Sequence, residues 1–270
     1  MKRGLVCFVI VLCALLGVSS DVFAGDDAPV LSRIVTSGTL RVGTSGSQPP
    51  FTVVSKSGKL IGYEIDLANM LAGAMDVKLE LVQKPFAELL PALEKGEIDA
   101  VMSGMTMTPK RNLQAAFVGP YMVSGKSILT KSSTLAALKD AEEIDQPTLK
   151  VAALKGSTSE KFVQKVLDKT TYVPVEDYDA GVQMVINGSV DLMVADFPIC
   201  ALSLMRFPDA GLVTLKEPMT VEPIGIALPP GDPLMVNMVE NYLGALEGLG
   251  VLDALEQKWF EDGGWLIQLP

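Results

Sequence analysis

The chain has 270 residues, with 22 Lys and Arg, 32 Asp and Glu, and no histidine. The formal charge of −10 disfavours nucleic acid and anionic membranes as partners, and the lack of histidine excludes Ser–His and Cys–His dyads and imidazole metal ligands. Because 49% of the residues are apolar and 20% are charged, the composition predicts a folded protein, and the length allows one or two domains.

The N-terminus has the pattern of an export leader. Two basic residues precede an uncharged apolar run over residues 4–18, and the segment ends at Val22-Phe23-Ala24. This layout is typical of a secretory signal peptide, so we expect cleavage of residues 1–24 and a periplasmic protein. A retained anchor is the alternative, although the run is shorter than the ~20 residues that span a bilayer. Cleavage changes the net charge from −10 to −11 and leaves Cys200, predicted to be buried filler, as the only cysteine.

Short β-type runs then alternate with helical runs. The predicted strands cover residues 39–43, 78–82, 98–102, 150–154, 172–174 and 190–195. The predicted helices cover residues 64–75, 85–94, 157–168 and 178–186. This alternation predicts α/β units on mainly parallel sheets.

One sequence pattern occurs twice. In residues 96–102 and again in residues 188–194, a glycine ends a helix and an Asp three residues later opens an apolar strand. The repetition predicts two equivalent halves, each with its own small sheet. Since open α/β sheets bind ligands beyond the carboxyl ends of their strands, the residues that follow these strands are the candidate binding groups.

Arg111 is the first candidate. Thr108 is a good N-cap and Pro109 suits the first helical position, so a helix should begin there. The free N–H groups of this helix and the guanidinium fork favour an anion such as a carboxylate. A solvent-facing arginine is the alternative.

Two further strand ends carry candidates on the other half. Ser157 and Glu160 fit a capping box next to Gly156, although an ordinary strand–turn–helix junction explains the same residues. Asp196 can accept hydrogen bonds from a ligand ammonium, or it can pair with Arg206 of the same helix. An arginine and an aspartate on opposite halves would match the two poles of an α-amino acid.

The motifs taken together resemble the polar amino-acid-binding proteins of bacterial ABC importers, solute-binding protein family 3. The similarity runs from about Gly38 to Phe260. The motifs that carry it include Gly62-Tyr63-Glu64-Ile65-Asp66-Leu67, Gly96-Glu97-Ile98-Asp99, Met105-Thr106-Met107-Thr108-Pro109-Lys110-Arg111, Phe117-Val118-Gly119-Pro120-Tyr121, Gly156-Ser157-Thr158 and Asp191-Leu192-Met193-Val194-Ala195-Asp196.

The resemblance implies an α/β, two-lobed periplasmic-binding-protein-like (type II) fold with two hinge strands. Lobe 1 would be residues 25–124 plus 222–270, and lobe 2 residues 125–221. The implied function is capture of an amino acid, or a similar small zwitterion or carboxylate, and delivery to an ABC transporter permease by a monomer without cofactor or metal.

The resemblance also implies a set of ligand contacts. Arg111 would hold the α-carboxylate with help from Thr106, Ser157 and Thr158. Asp196, with Ser103 and Gly104, would hold the α-ammonium. Phe86 would pack on the ligand side chain, although core packing also explains it. Gln48 stands where relatives that bind basic amino acids often carry an aromatic residue, and Ser45 where they often carry an acid, which hints at a polar or acidic ligand side chain.

Two other classes of function stay open. Cyclohexadienyl dehydratases resemble these binding proteins, so an enzyme on the same scaffold is one alternative to the expected non-enzyme. Such chemistry needs a positioned acid in the cleft, and the sequence marks none. A ligand-sensing module for a separate signalling partner is the other alternative.

Overall fold

Two five-stranded sheets organise residues 28–137 and 141–269, which are the residues that this computed structural model describes. The predicted leader therefore lies outside the described residues. The strands are β1 (Thr39–Thr44), β2 (Ser47–Gln48), β3 (Thr52–Val54), β4 (Leu60–Ile61), β5 (Lys78–Gln83), β6 (Ala100–Val101), β7 (Ala116–Ser124), β8 (Lys126–Thr130), β9 (Lys150–Leu154), β10 (Thr171–Val175), β11 (Leu192–Asp196), β12 (Val213–Thr214) and β13 (Glu222–Leu228).

Helices connect and cover the sheets. They are α1 (Pro29–Ser37), α2 (Tyr63–Ala74), α3 (Leu89–Glu94), α4 (Pro109–Asn112), α5 (Ser133–Ala136), α6 (Ala141–Ile144), α7 (Thr158–Val166), α8 (Tyr178–Ile186), α9 (Phe197–Arg206), α10 (Pro233–Gly248) and α11 (Val251–Glu256). A π-helical turn (Gln257–Glu261) and 3₁₀ turns (Phe86–Glu88, Pro208–Ala210, Gly263–Gln268) complete them. Within the described part of the chain, no helix combines the length and apolar character needed to span a bilayer.

The two sheets have the same plan. Their strand orders are β5-β1-β6-β13-β7 and β10-β9-β11-β8-β12. In each sheet three parallel strands are followed by a fourth strand that runs against them, and the fifth strand pairs antiparallel with the fourth. We call the body built on the first sheet lobe 1 and the body built on the second sheet lobe 2. The chain thus folds as a two-lobed α/β protein, although the expectation of mainly parallel sheets missed the antiparallel pair in each lobe.

The repeated sequence pattern has the same structural role in both lobes. In lobe 1 the Asp99 carboxylate accepts a hydrogen bond from the backbone N–H of Arg41 at 2.8 Å, and in lobe 2 Asp191 accepts one from Lys150 at 2.7 Å. The backbone N–H groups of both aspartates donate back to the carbonyls of the same two residues. Each aspartate therefore joins a strand entrance to the neighbouring parallel strand.

The predicted elements agree with the observed ones except at a few boundaries. The predicted helix over residues 85–94 is a 3₁₀ turn (Phe86–Glu88) followed by α3. The strand predicted over residues 98–102 is shorter in the structure, where only β6 (Ala100–Val101) is a strand. Cys200 is fully buried, and burial raises the pKa of its thiol to about 12, as expected of filler rather than of a reactive group.

The chain crosses between the lobes twice. It leaves β7 of lobe 1 at Gly125 to enter β8, and it returns from β12 to β13 over residues 215–221. One buried apolar cluster extends from Phe86 and Ile98 of lobe 1 to Leu154 and Tyr178 of lobe 2. The lobes are therefore in contact on the side where the strands of both sheets end.

Candidate ligand-binding cleft

Arg111 lies buried between the lobes. Thr108 Oγ1 caps α4 by accepting a hydrogen bond from the Arg111 N–H at 3.2 Å, as the sequence predicted, but the helix has a single turn. The side chain is only 4% exposed, and its Nη1 donates to the Thr106 carbonyl at 2.8 Å. Its Nη2 donates at 3.2 Å to the carbonyl of Gly156 in lobe 2. The alternative of a solvent-facing arginine is therefore wrong.

Burial and neighbouring carboxylates have opposite effects on the pKa of Arg111. Burial lowers the pKa of the guanidinium, whereas the carboxylates of Asp196 and Glu222 raise it. An arginine stays protonated in proteins, so the cleft contains a fixed positive charge. The guanidinium carbon also lies 5.5 Å from the centroid of the Phe86 ring, which forms one apolar wall.

Two further contacts close the same side of the cleft. The hydroxyls of Thr106 in lobe 1 and Thr158 in lobe 2 lie 3.3 Å apart. A Cβ placed on Gly156 would lie 2.8 Å from the Cβ of Ala87, and Gly156 has a φ of +77°. Only glycine permits this approach without strain. The predicted contacts Thr106, Arg111 and Thr158 are therefore brought together.

Gln48 and Ser103 form a polar wall in lobe 1. Gln48 Nε2 donates to the Ser103 carbonyl at 2.8 Å and lies 3.0 Å from its hydroxyl. The Ser103 hydroxyl donates to Ser45 Oγ at 3.0 Å. All three side chains are buried, and they hold one another in place.

The backbone at Gly104 is tied to a buried acid. The Gly104 N–H donates to Glu64 Oε1 at 2.7 Å, and the Tyr121 hydroxyl donates to the same oxygen. Burial raises the pKa of the Glu64 carboxyl to about 7, although the bonds from Tyr121 and Gly104 favour its ionised form. In the sequence Glu64 is recognisable only as part of a family motif, and no local pattern indicates its contact with Gly104.

Asp196 ends β11 and is bound by a lysine. Lys126 Nζ lies 2.5 Å from Asp196 Oδ1, and both side chains are almost fully buried. The expected alternative, a pairing of Asp196 with Arg206, is wrong because Arg206 binds Asp179 at 2.5 Å. No local motif in the sequence indicates that Lys126 pairs with Asp196. Its position at the first residue after a lobe crossing is the signal that marks it.

Ser157 acts as the N-cap of α7. Its Oγ accepts from the Glu160 N–H at 3.0 Å and donates to the Leu154 carbonyl at 2.6 Å. The Glu160 carboxylate binds the Gly156 N–H at 2.7 Å rather than the N–H of Ser157, so only half of the expected capping box forms. The Ser157 hydroxyl is thus engaged within its own lobe.

A separate apolar cavity of about 420 Å³ lies beside the two crossings and contains none of the predicted contact residues. Among the described residues, no cluster of three or more His, Cys, Asp or Glu side chains is arranged to hold a metal ion.

Two lobes that meet around a buried arginine and a buried aspartate define a two-lobed binding protein that can enclose a small polar molecule. The comparison with known families agrees: the model of the bacterial extracellular solute-binding proteins, family 3, matches residues 40–262. The chain belongs to this family.

The relatives differ from one another in function. The chain is 30% identical over 231 residues to cyclohexadienyl dehydratase of Pseudomonas aeruginosa, covering 86% of each protein. It is 26% identical to ABC transporter arginine-binding protein 1 of Escherichia coli, covering 82% of this chain and 90% of that protein. The crystal structure of an ancestral amino acid-binding protein, a precursor of cyclohexadienyl dehydratase, superposes with a TM-score of 0.79 at 38% identity, covering 86% of this chain and 99% of that one.

Proposed function

We propose that this protein captures an amino acid, or a similar small zwitterion or carboxylate, between its lobes and delivers it to an ABC transporter permease. The observation that carries this proposal is the position of Arg111, a buried cation that contacts both lobes. A carboxylate that accepts from this guanidinium would favour the closed arrangement because both lobes contribute to its binding.

The remaining site residues have complementary roles in this proposal. Asp196 accepts from a ligand ammonium, with Ser103 and Gly104 beside it. Thr106, Ser157 and Thr158 support the carboxylate end, while Phe86 and Gln48 line the space for the ligand side chain. Lobe 1 comprises residues 25–124 and 222–270, and lobe 2 comprises residues 125–221. The protein acts as a monomer in the periplasm after removal of residues 1–24.

Loss of Arg111 should weaken ligand binding far more than loss of its neighbour. Removing one partner of a buried charged pair costs about 2–5 kcal/mol, which corresponds to roughly 30- to several-thousand-fold in affinity. A thermal-shift screen of the twenty amino acids and common carboxylates identifies a binder, because a bound molecule raises apparent stability. Calorimetry then compares the wild type with Arg111→Ala and with Lys110→Ala, which removes an exposed cation from the same helix.

The two variants separate a specific role from a loss of positive charge. Lys110→Ala should bind within about twofold of the wild type. Equal affinities in the wild type and in Arg111→Ala would remove Arg111 from the site, and a screen without any binder would contradict the proposed function.

A second candidate function is an enzyme of the cyclohexadienyl dehydratase class. The 30% identity over 231 residues to such an enzyme favours it. Two buried acids lie near the cleft among the described residues. Glu64 is bound by Tyr121, and Asp196 is bound by Lys126. Incubation with prephenate and arogenate, followed spectroscopically, should leave both compounds unchanged, and formation of product would establish the enzyme.

A further inference from the structure

A buried lysine lies next to the candidate ammonium-binding carboxylate. The side chain of Lys126 is 1% exposed, and its Nζ lies 2.5 Å from Asp196 Oδ1 and 3.8 Å from Glu222 Oε2. Burying an ammonium is unfavourable unless it is paired and hydrogen-bonded. The pair with Asp196 is therefore a fixed part of the cleft and not a surface ion pair.

The backbone holds Lys126 where the chain crosses between the lobes. Its N–H donates to Thr220 Oγ1 at 2.9 Å, and its carbonyl accepts from the Met219 N–H at 2.7 Å. Thr220 and Met219 belong to the second crossing, whereas Lys126 follows the first. The lysine is thus fixed by both connections, which gives its ammonium a defined position beneath Asp196.

One oxygen of the Asp196 carboxylate accepts a hydrogen bond from Lys126. Among the described residues, its hydrogen bond to Lys126 involves Oδ1, and Oδ2 forms none. Asp196 is also the N-cap residue of α9 without a capping bond from its side chain. A carboxylate can accept several hydrogen bonds, so Oδ2 can accept one from a ligand while Oδ1 stays bound to the lysine.

We propose that Lys126 is a positioning residue for the amine of the ligand: its buried ammonium binds Asp196 Oδ1, supplies the counter-charge of the carboxylate and directs Oδ2 to the ligand. This inference rests on the proposed function and assigns a role to a residue outside the family resemblance described above. In this arrangement the ligand amine and the Lys126 ammonium bind the same carboxylate, that of Asp196. Selectivity for amines would therefore depend on Lys126 even though the lysine itself does not touch the ligand.

The charges around Asp196 make this dependence measurable. The charged and titratable groups that face it from the surrounding elements are Lys126 (β8), Arg111 (α4), Glu222 (β13), Tyr178 (α8) and Cys200 (α9). Burial raises the pKa of both Tyr178 and Cys200, so neither titrates between pH 5.5 and pH 8. A buried carboxylate that loses its counter-ion takes up a proton more readily. Without Lys126, acidification should therefore neutralise Asp196 and abolish its attraction for an amine.

The experiment compares two probes that differ only in the amine. They are the L-amino acid that gives the largest thermal shift among the twenty and the 2-hydroxy acid with the same side chain. Calorimetry at pH 8 and pH 5.5 gives the ratio of their affinities for the wild type, Lys126→Met and Lys126→Arg. Lys131→Met is the matched control, since Lys131 is an exposed lysine next to the end of the same strand.

The wild type and Lys131→Met should keep the same ratio within about twofold at both pH values. In Lys126→Met the preference for the amine should fall at least about tenfold on acidification, and Lys126→Arg should restore the flat profile because it retains a cation. Any effect of Glu64, which titrates in this range behind Gly104, is common to all variants and is removed by comparison with the wild type.

Several results would overturn the inference. One is an affinity ratio that does not change with pH in Lys126→Met. Another is a fall of the amine preference on acidification that is as large in the double variant Lys126→Met/Asp196→Asn, which has no carboxylate at position 196, as in Lys126→Met. If Lys126→Met does not fold, Lys126→Gln carries the same expectation. A wild type that binds no amino acid at all would instead contradict the proposed function, and the inference with it.

Discussion

Glu64 shows how a residue outside the cleft can control its wall. The residue lies in the first turn of α2, and its Oε1 binds both the Gly104 N–H and the Tyr121 hydroxyl. Its other oxygen is buried without a hydrogen-bond partner among the described residues. An ionised carboxylate at such a position is unfavourable, which explains the direction of its pKa shift.

Replacing Glu64 should therefore change how stability depends on pH. Its carboxyl has a pKa of about 7 in the folded protein against 4.5 for the free side chain. Between these values the folded state binds more protons than the unfolded chain, so the free energy of unfolding falls as pH rises through this window. Glu64→Gln does not titrate, so its stability relative to the wild type should increase by about 2–3 kcal/mol from pH 5 to pH 8, at about 1.4 kcal/mol per pKa unit.

Urea unfolding of both proteins at a series of pH values measures this difference. Glu94→Gln, which changes an exposed glutamate of the same lobe, should follow the wild type at every pH. A difference between Glu64→Gln and the wild type that stays constant from pH 5 to pH 8 would show that Glu64 does not titrate in this range.

Local contacts in the cleft could be predicted from the sequence, and distant ones could not. The cap at Thr108 and the cap at Ser157 depend on residues three positions apart, so short motifs identify them. The partner of Asp196 lies 70 positions away in Lys126. The two residues are cross-strand partners in β8 and β11, and no spacing in the sequence records which strands pair. The assignment of these residues to ligand contacts stays a prediction.

The strands and helices also divide into local features that the sequence predicts and distant pairings that it does not. The alternation of β and α runs predicted the parallel strands, because each is joined to the next by a helix with a local pattern. The antiparallel pairings involve β7, β8 and β13, the strands next to the crossings, where the chain changes sheets. The repeated Gly-x-x-Asp pattern was the one sequence feature that indicated two equivalent sheets, and its aspartates join β6 to β1 and β11 to β9.

The two equivalent aspartates should differ in their contribution to stability. Asp99 is buried, binds the Arg41 N–H and pairs with the guanidinium groups of Arg33 and Arg41. Asp191 is exposed, and among the described residues its carboxylate accepts a hydrogen bond only from the Lys150 N–H. Asp99→Ala should cost about 3 kcal/mol, the lower end of the range for a broken buried pair, because both arginines still reach solvent. Asp191→Ala should cost about 1 kcal/mol, as for a single hydrogen bond.

Chemical denaturation of the two variants tests this ranking, with Asp191→Ala acting as the matched control for the loss of the shared backbone contact. Equal losses would mean that the arginine pairs add nothing to the hydrogen bond that both lobes share.

Several contacts between the two lobes surround the candidate site. Arg111 reaches the Gly156 carbonyl, Thr106 meets Thr158, and Ala87 lies against the glycine. A ligand that binds both lobes can therefore shift the molecule towards this closed arrangement, since it gains contacts that an open arrangement lacks. The glycine at position 156 sets how closely the lobes can approach.

A large side chain at position 87 should keep the lobes apart. Ala87 is exposed, yet its Cβ would lie 2.8 Å from a Cβ on Gly156, so we expect an indole at position 87 to crowd lobe 2 in the closed arrangement. Overpacking of this kind costs about 1–3 kcal/mol, so Ala87→Trp should bind the amino acid identified by the screen about 5- to 150-fold more weakly. Small-angle X-ray scattering should show the wild type becoming more compact with that amino acid while Ala87→Trp keeps its ligand-free radius of gyration.

Ala74→Trp provides the matched control, because Ala74 is an exposed alanine at the end of α2 in the same lobe. It should bind and compact as the wild type does, which separates the effect of a wedge between lobes from that of an added tryptophan. If Ala87→Trp bound and compacted like Ala74→Trp, the approach of Ala87 to Gly156 would not be required for binding. The lobes would then close on the ligand without this approach, and the closeness of Ala87 to Gly156 would be incidental to capture.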